Sequence, residues 1–199
     1  MKSIIKIIIT ALLLISAPSH SDGVEETAKI VFDHVENALH QMKGKTDSAP
    51  QDFEQLVRST ILPHVDSKYF AFKVLGKHLD RLTPEQRNEF ASALQQKLVA
   101  DYVSALKGYN NEKIMIANTR LAKSGKIASV TMKLVGNGKQ MNMNTKWRYS
   151  TKKQRWLMYD LIVEGISMLQ TKQKEIATRI STQGVDTVLA QLSSQITKA

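Results

Sequence analysis

Cysteine is absent from all 199 residues. That removes disulfides, thiolate nucleophiles and cysteine-ligated metals, and it also removes a lipid-modified cysteine as a membrane anchor. No Gly-x-Ser-x-Gly nucleophile elbow and no glycine-rich phosphate loop occurs, so two common catalytic arrangements have no sequence to carry them. Histidine is sparse, and His34, His40, His64 and His78 include no pair at the i,i+4 spacing of a helical metal site. Internal repeats and low-complexity tracts are missing too. Acidic residues are missing between Glu112 and Asp160.

One long apolar run is present, at the N-terminus. Lys2 and Lys6 give a positive start, Ile7 to Ile15 is almost continuously apolar, and small residues lead to a plausible cut after Ser19 or Ser21. A helix needs about 20 apolar residues to cross a bilayer, and this run is shorter. It reads as a cleaved export signal over residues 1–21. The expected product is one domain over residues 22–199, long enough for a substantial core and at work in the periplasm. Losing Lys2 and Lys6 would lower the formal charge from +10 to +8. A basic balance suggests anionic partners. Export argues against nucleic acid, leaving lipid head groups and acidic protein faces.

Val24, Ala28, Val31, Phe32, Val35, Leu39 and Met42 recur at helical spacing and predict an opening amphipathic helix. After a polar break at 44–50, Phe53, Leu56, Val57 and Ile61 predict a second short helix that stops before Pro63. A cluster from Tyr69 to Leu75 closes at Gly76. Thr83, Pro84 and Gln86 then spell a capped helix start, and Phe90, Leu94, Leu98, Tyr102 and Leu106 continue it as one stripe to Gly108.

Beyond Gly108 the period changes to two. Residues 112–119 and 126–135 predict strands, and Gly136-Asn137-Gly138 predicts a hairpin. Met141, Met143, Trp147 and Tyr149 alternate with polar neighbours, giving the sheet one apolar and one polar face. The next strand, 155–164, is apolar at nearly every position, as a more buried strand would be. Two helices separated by Gly184 finish the chain. The expected class is α+β, with helices packed on one face of a curved antiparallel sheet of about four strands and an apolar pocket between the layers.

Two features invite chemistry. Asp160 and Glu164 lie four apart on a strand, so a paired-carboxylate site is conceivable, although a structural carboxylate bonded to backbone or arginine fits Asp160 as well. Eleven cations and no anion occupy Lys113 to Tyr159. Strand alternation turns Lys133, Lys146 and Arg148 to the polar face, which suits docking.

Three stretches, Ile61-Leu62-Pro63-His64-Val65-Asp66, Val74-Leu75-Gly76-Lys77-His78 and Leu82-Thr83-Pro84-Glu85-Gln86-Arg87, resemble the core of the MlaC family. Those proteins are the auxiliary, toluene-tolerance components of a periplasmic phospholipid transport system. Trp156-Leu157-Met158-Tyr159-Asp160 and Val163-Glu164-Gly165-Ile166-Ser167 resemble the same family's strand-to-helix junction. Thr171, Lys172 and Ile176 depart from it, standing where members often have an aromatic-arginine pair and a phenylalanine. The resemblance implies a fold related to nuclear transport factor 2 and a deep pocket for the acyl chains of a glycerophospholipid. It also implies two partners: an outer-membrane lipoprotein complex, and an inner-membrane ABC transporter complex with an MCE-type domain. No cofactor, metal or catalytic residue is expected. The candidate lipid-binding residues are Val74, Leu75, Phe90, Leu94, Leu98, Tyr102, Val130, Met132, Met143, Trp147, Tyr149, Tyr159 and Leu161. The alternative is a small isomerase or hydrolase on the same fold, using Asp160 and a tyrosine.

Overall fold

The computed structural model describes residues 20–43, 50–109, 111–136 and 138–196. The expected export signal lies outside them through residue 19, as do 44–49 of the expected polar break. Helix α1 (His20–Lys43) buries Val24, Ala28, Val31, Val35 and Leu39, the stripe its spacing predicts. The second helical stretch is not one α-helix. Helix α2 (Pro50–Leu56) widens into a π-helical turn over Val57–Ile61 and then tightens into a 3-10 turn over Leu62–His64. Pro63 is accommodated rather than avoided, because at the start of a fresh turn its missing N–H has no partner to lose. The chain then bonds to the sheet, Asp66 N–H donating to Met158 O at 2.7 Å.

Helix α3 (Ser67–Leu75) is capped by Asp66, whose carboxylate accepts from Tyr69 N–H at 3.2 Å. Helix α4 (Pro84–Lys107) starts at the predicted capping box. Gln86 N–H donates to Thr83 Oγ1 at 3.2 Å, and Thr83 N–H donates to Gln86 Oε1 at 2.9 Å. Five antiparallel strands follow in sequence order: β1 (Lys113–Leu121), β2 (Ile127–Gly136), β3 (Lys139–Ser150), β4 (Arg155–Val163) and β5 (Ile166–Ser167). The fifth, only two residues long, was not expected. Glu164 and Gly165, with φ of +47° and +80°, form the two-residue turn that makes it. Helices α5 (Met168–Gln183) and α6 (Val185–Ile196) close the fold.

A β-bulge reorganises β4. Trp147 faces Met158 and Lys146 faces Asp160, so Tyr159 is the extra residue between them. Alternation before the bulge puts Trp156 and Met158 on the apolar face, and after it Leu161 and Val163 take the same face. This phase change, together with Leu157 fully buried on the other face, produces the near-continuous apolar run.

Two cores result. One joins α1 and the 57–65 turns to the apolar face of the sheet; the other is made of α3 to α6. The helices are therefore not confined to one face. Arg148, on the polar face, pairs with Asp66 and lies 4.5 Å from the Tyr69 ring, at the start of α3.

Candidate functional site

A cavity of about 850 Å³ opens between the C-terminal half of α1, the last turns of α4 and the far end of the sheet's apolar face. Val31, Phe32, Val35 and Leu39 supply the α1 wall, and Tyr102, Ala105, Leu106 and Tyr109 come from α4 and the segment after it. Ile114, Leu134, Met143, Leu161 and Val163 form the sheet wall, with Ile61 and Met158 beside them. Helical and strand periodicity coincide here, since each element turns its apolar stripe to the same space.

The α1 wall is tied to the sheet by a polar contact. The Glu36 carboxylate accepts from Ile114 N–H at 3.2 Å, satisfying a donor of edge strand β1. Next to it the His40 and Tyr109 rings meet edge to face at 6.0 Å. Burial and the carboxylates of Glu36 and Glu112 raise the Tyr109 phenol above its ordinary value of 10.0. Burial, then Asp160 and Asp101, push Tyr102 up as well. Both phenols stay protonated, so they add hydrogen-bonding capacity but no charge to an apolar wall.

Exposed lining residues mark the mouth. These are Ala105, Gly108, Lys139, Gln140, Met141 and Glu164. Glu164 is held firmly: its side chain accepts from Asn142 N–H, and its own N–H donates to Asn142 O at 2.9 Å. Gly136 lets the hairpin base approach the start of β1 closely, since a Cβ there would stand 3.0 Å from the Glu112 Cα.

Among the residues singled out from the sequence, Tyr102, Met143 and Leu161 line this cavity. Val74, Leu75, Phe90, Leu94 and Leu98 lie instead in the helical core of α3 to α6. Val130, Met132 and Trp147 are completely enclosed where α1 packs on the sheet. Trp147 keeps its indole N–H satisfied by donating to the buried Thr145 Oγ1 at 2.7 Å. Tyr149 packs against Trp156 at 5.6 Å, and the bulge sends Tyr159 to Tyr69 at 5.3 Å. The α1 wall, Ile61, Leu106, Ile114, Leu134, Met158 and Val163 were not singled out. Their stripes were visible, but a stripe shows which face is apolar and not whether that face meets solid core or a void.

Asp160 has two partners. Its carboxylate accepts from Ser167 Oγ at 2.7 Å and from Leu169 N–H at 3.0 Å, while Ser167 Oγ accepts from Gln170 N–H at 3.0 Å. Together they cap α5. Among the described residues no group of histidines and carboxylates is placed to hold a metal.

The model of the MlaC protein family matches residues 29–194. The chain belongs to the MlaC family. One relative is the intermembrane phospholipid transport system binding protein MlaC of Haemophilus influenzae, 28% identical over 85% of this chain and 78% of its own. Another is the toluene tolerance protein ttg2D of Pseudomonas putida, 26% identical over 88% of this chain and 79% of its own. Among solved structures, the phospholipid-binding protein of Ralstonia solanacearum in complex with a phospholipid superposes with a TM-score of 0.70 at 22% identity. That match covers 90% of this chain and 99% of the other, and establishes a shared fold. Lys172, at the family departure, pairs with Asp101 at 3.3 Å and Glu175 at 3.0 Å, so the MlaC-type α5 is joined to α4 by ions here.

Proposed function

We propose that this chain is a periplasmic, non-enzymatic carrier of glycerophospholipid, holding acyl chains in the cavity and leaving the head group at the mouth. The observation that carries the reading is an apolar cavity of about 850 Å³ in an MlaC-family fold. A methylene group takes roughly the room of a water molecule, about 30 Å³, so this space fits about 28 of them, on the order of two acyl chains. The names of the Haemophilus influenzae relative and of the Ralstonia solanacearum structure both point to phospholipid.

Carriage of this kind is energetically feasible. Each methylene removed from water gains about 0.8 kcal/mol, so a chain of about sixteen carbons gains on the order of 13 kcal/mol. Leaving a bilayer forfeits a similar amount, so exchange between membrane and cavity is nearly balanced. No bond need be broken, and Asp160 is fully employed as a helix cap. Export through a cleaved signal at 1–21 would deliver the 22–199 domain to the space between two membranes. There it would exchange lipid with an outer-membrane lipoprotein complex and an inner-membrane ABC transporter carrying an MCE-type domain.

The basic sheet face would guide those encounters. Lys133 is exposed on it, and Lys146, half-buried on the central strand, donates to Ser129 Oγ at 3.3 Å. Arg148 is already committed to Asp66 and Tyr69, so its first role is to hold α3 against the sheet.

Solvent extraction of the purified protein, followed by mass spectrometry, tests the carrier reading. Near-stoichiometric diacyl glycerophospholipid is expected. An empty protein that remains empty after incubation with vesicles would defeat it.

A further inference from the structure

The cavity wall carries three charged side chains among its described residues: Glu112, Lys139 and Glu164. They sit together at one end of the sheet. Lys139 pairs with Gly136 across the β2–β3 hairpin, and Glu112 packs against that same Gly136 on the β1 side. On the other flank, Glu164 bonds to Asn142, three residues along β3 from Lys139. Lys139 therefore stands between Glu112 and Glu164 along this end of the sheet, where the apolar cavity meets water. Lys139 and Glu164 are exposed and Glu112 is half-buried. The grouping runs against the composition of the region, because Glu112 and Glu164 are the first carboxylates on the N-terminal side and nearly the first on the C-terminal side of the all-basic stretch.

We infer that this mouth selects phospholipids whose head group carries a primary amine, such as phosphatidylethanolamine, over purely anionic ones such as phosphatidylglycerol. The inference rests on the carrier reading, since it concerns the head group of a lipid held in this cavity. With tails inside, the phosphate emerges at the rim, where the Lys139 ammonium is the opposite charge within the wall. An ethanolamine extends the head group by a protonated amine that donates to a carboxylate on either flank. A glycerol head group brings the same phosphate charge but no cation, so it supplies nothing to answer the excess carboxylate charge at the mouth. The carboxylate on Glu164 is pre-oriented by its bond to Asn142 N–H, which lowers the ordering cost of the contact.

The test uses protein stripped of lipid and incubated with vesicles of phosphatidylethanolamine and phosphatidylglycerol in equal amounts, matched in acyl chains. Bound lipid is extracted and the two head groups are counted by mass spectrometry. Partly exposed charge pairs have modest strength, so enrichment of the amine lipid by about twofold to fivefold is expected, declining at high salt. Glu112→Gln with Glu164→Gln should bring the ratio close to that of the vesicles, because glutamine keeps the acceptor oxygen for Asn142 N–H but loses the charge. Bound lipid at the vesicle ratio in the unmodified protein overturns the inference and leaves the carrier reading intact. So does enrichment that survives both the double substitution and high salt. Uptake of neither lipid by the unmodified protein sinks the carrier reading itself. Because the unmodified protein gives the ratio and its salt dependence, the outcome is decided even if the double variant fails to fold.

Discussion

Asp160 stands in the midst of an otherwise apolar strand, and its partners account for it. The carboxylate bonds to Ser167 Oγ and Leu169 N–H, fixing the junction of β5 and α5, and only 8% of the residue is exposed. Removing it strands a helix N-terminal donor in a dry place. Asp160→Ala is expected to lower unfolding free energy by about 2 kcal/mol, read from the urea midpoint, with Asp160→Asn losing less because one acceptor oxygen remains. Folded Asp160→Ala protein should still hold its lipid; a turnover that vanished in stable Asn variant would instead revive the isomerase reading. His64 makes a second prediction of this kind. Burial, Arg155 and His34 lower its pKa below 6.5, and its Nδ1 is buried without a hydrogen-bond partner among the described residues. The unfolded chain binds this proton more readily than the folded one. Stability therefore falls as pH drops from 6.5 toward the lowered folded value and levels off below it. His64→Gln should flatten the urea midpoint between about pH 7.5 and about pH 5.5. A parallel decline in both proteins would show that His64 does not contribute.

Helix α4 changes partner along its length, and so do the consequences of altering it. As far as Leu98 it packs Phe90, Leu94 and Leu98 among α3, α5 and α6, whereas Tyr102, Ala105 and Leu106 reach the cavity. Leu98→Ala is expected to cost about 2–5 kcal/mol of stability while lipid per folded molecule stays constant. Leu161→Glu, on β4 and facing the cavity, should fold and emerge empty, because an unpaired charge among acyl chains costs several kcal/mol. Native mass spectrometry with circular dichroism separates the two; equal lipid content in both would misplace the cavity wall. The stripe from Phe90 to Leu106 looked uniform in sequence because helical spacing records the face alone. For similar reasons the capping box at Thr83 and the β2–β3 hairpin were legible, being local chemistry of adjacent residues. The bulge at Tyr159 and the π turn at Val57–Ile61 were not, since each depends on which partner the chain meets across the fold. Tyr159 is the clearest case: it was singled out with Leu161 for the pocket, and as the bulged residue it turns to Tyr69 instead.

At the scale of the molecule, an apolar cavity and a basic outer surface divide retention from encounter. Lys133 and Lys146 lie on strand positions opposite to Met132 and Trp147, away from the cavity side. Electrostatic steering raises encounter rates and fades with salt, with little effect on bound-state strength. Lys133→Glu with Lys146→Glu is expected to slow lipid exchange with the membrane complexes at low salt and to match the unmodified protein at high salt. Arg148 is left in place so that its ion pair with Asp66 is kept. Equal rates at low salt would leave these lysines as a solvated face. The central claim is more specific than any rate: acyl chains occupy the space enclosed by α1, the end of α4 and the β1–β4 surface. It is tested most directly with a phospholipid carrying a photoreactive diazirine near the end of one acyl chain, loaded, irradiated and mapped by peptide mass spectrometry. Adducts on Val31, Val35, Ile61 or Met158 are the expected result. Adducts confined to Leu75, Leu94 or Leu98, in the core of α3 to α6, would contradict it.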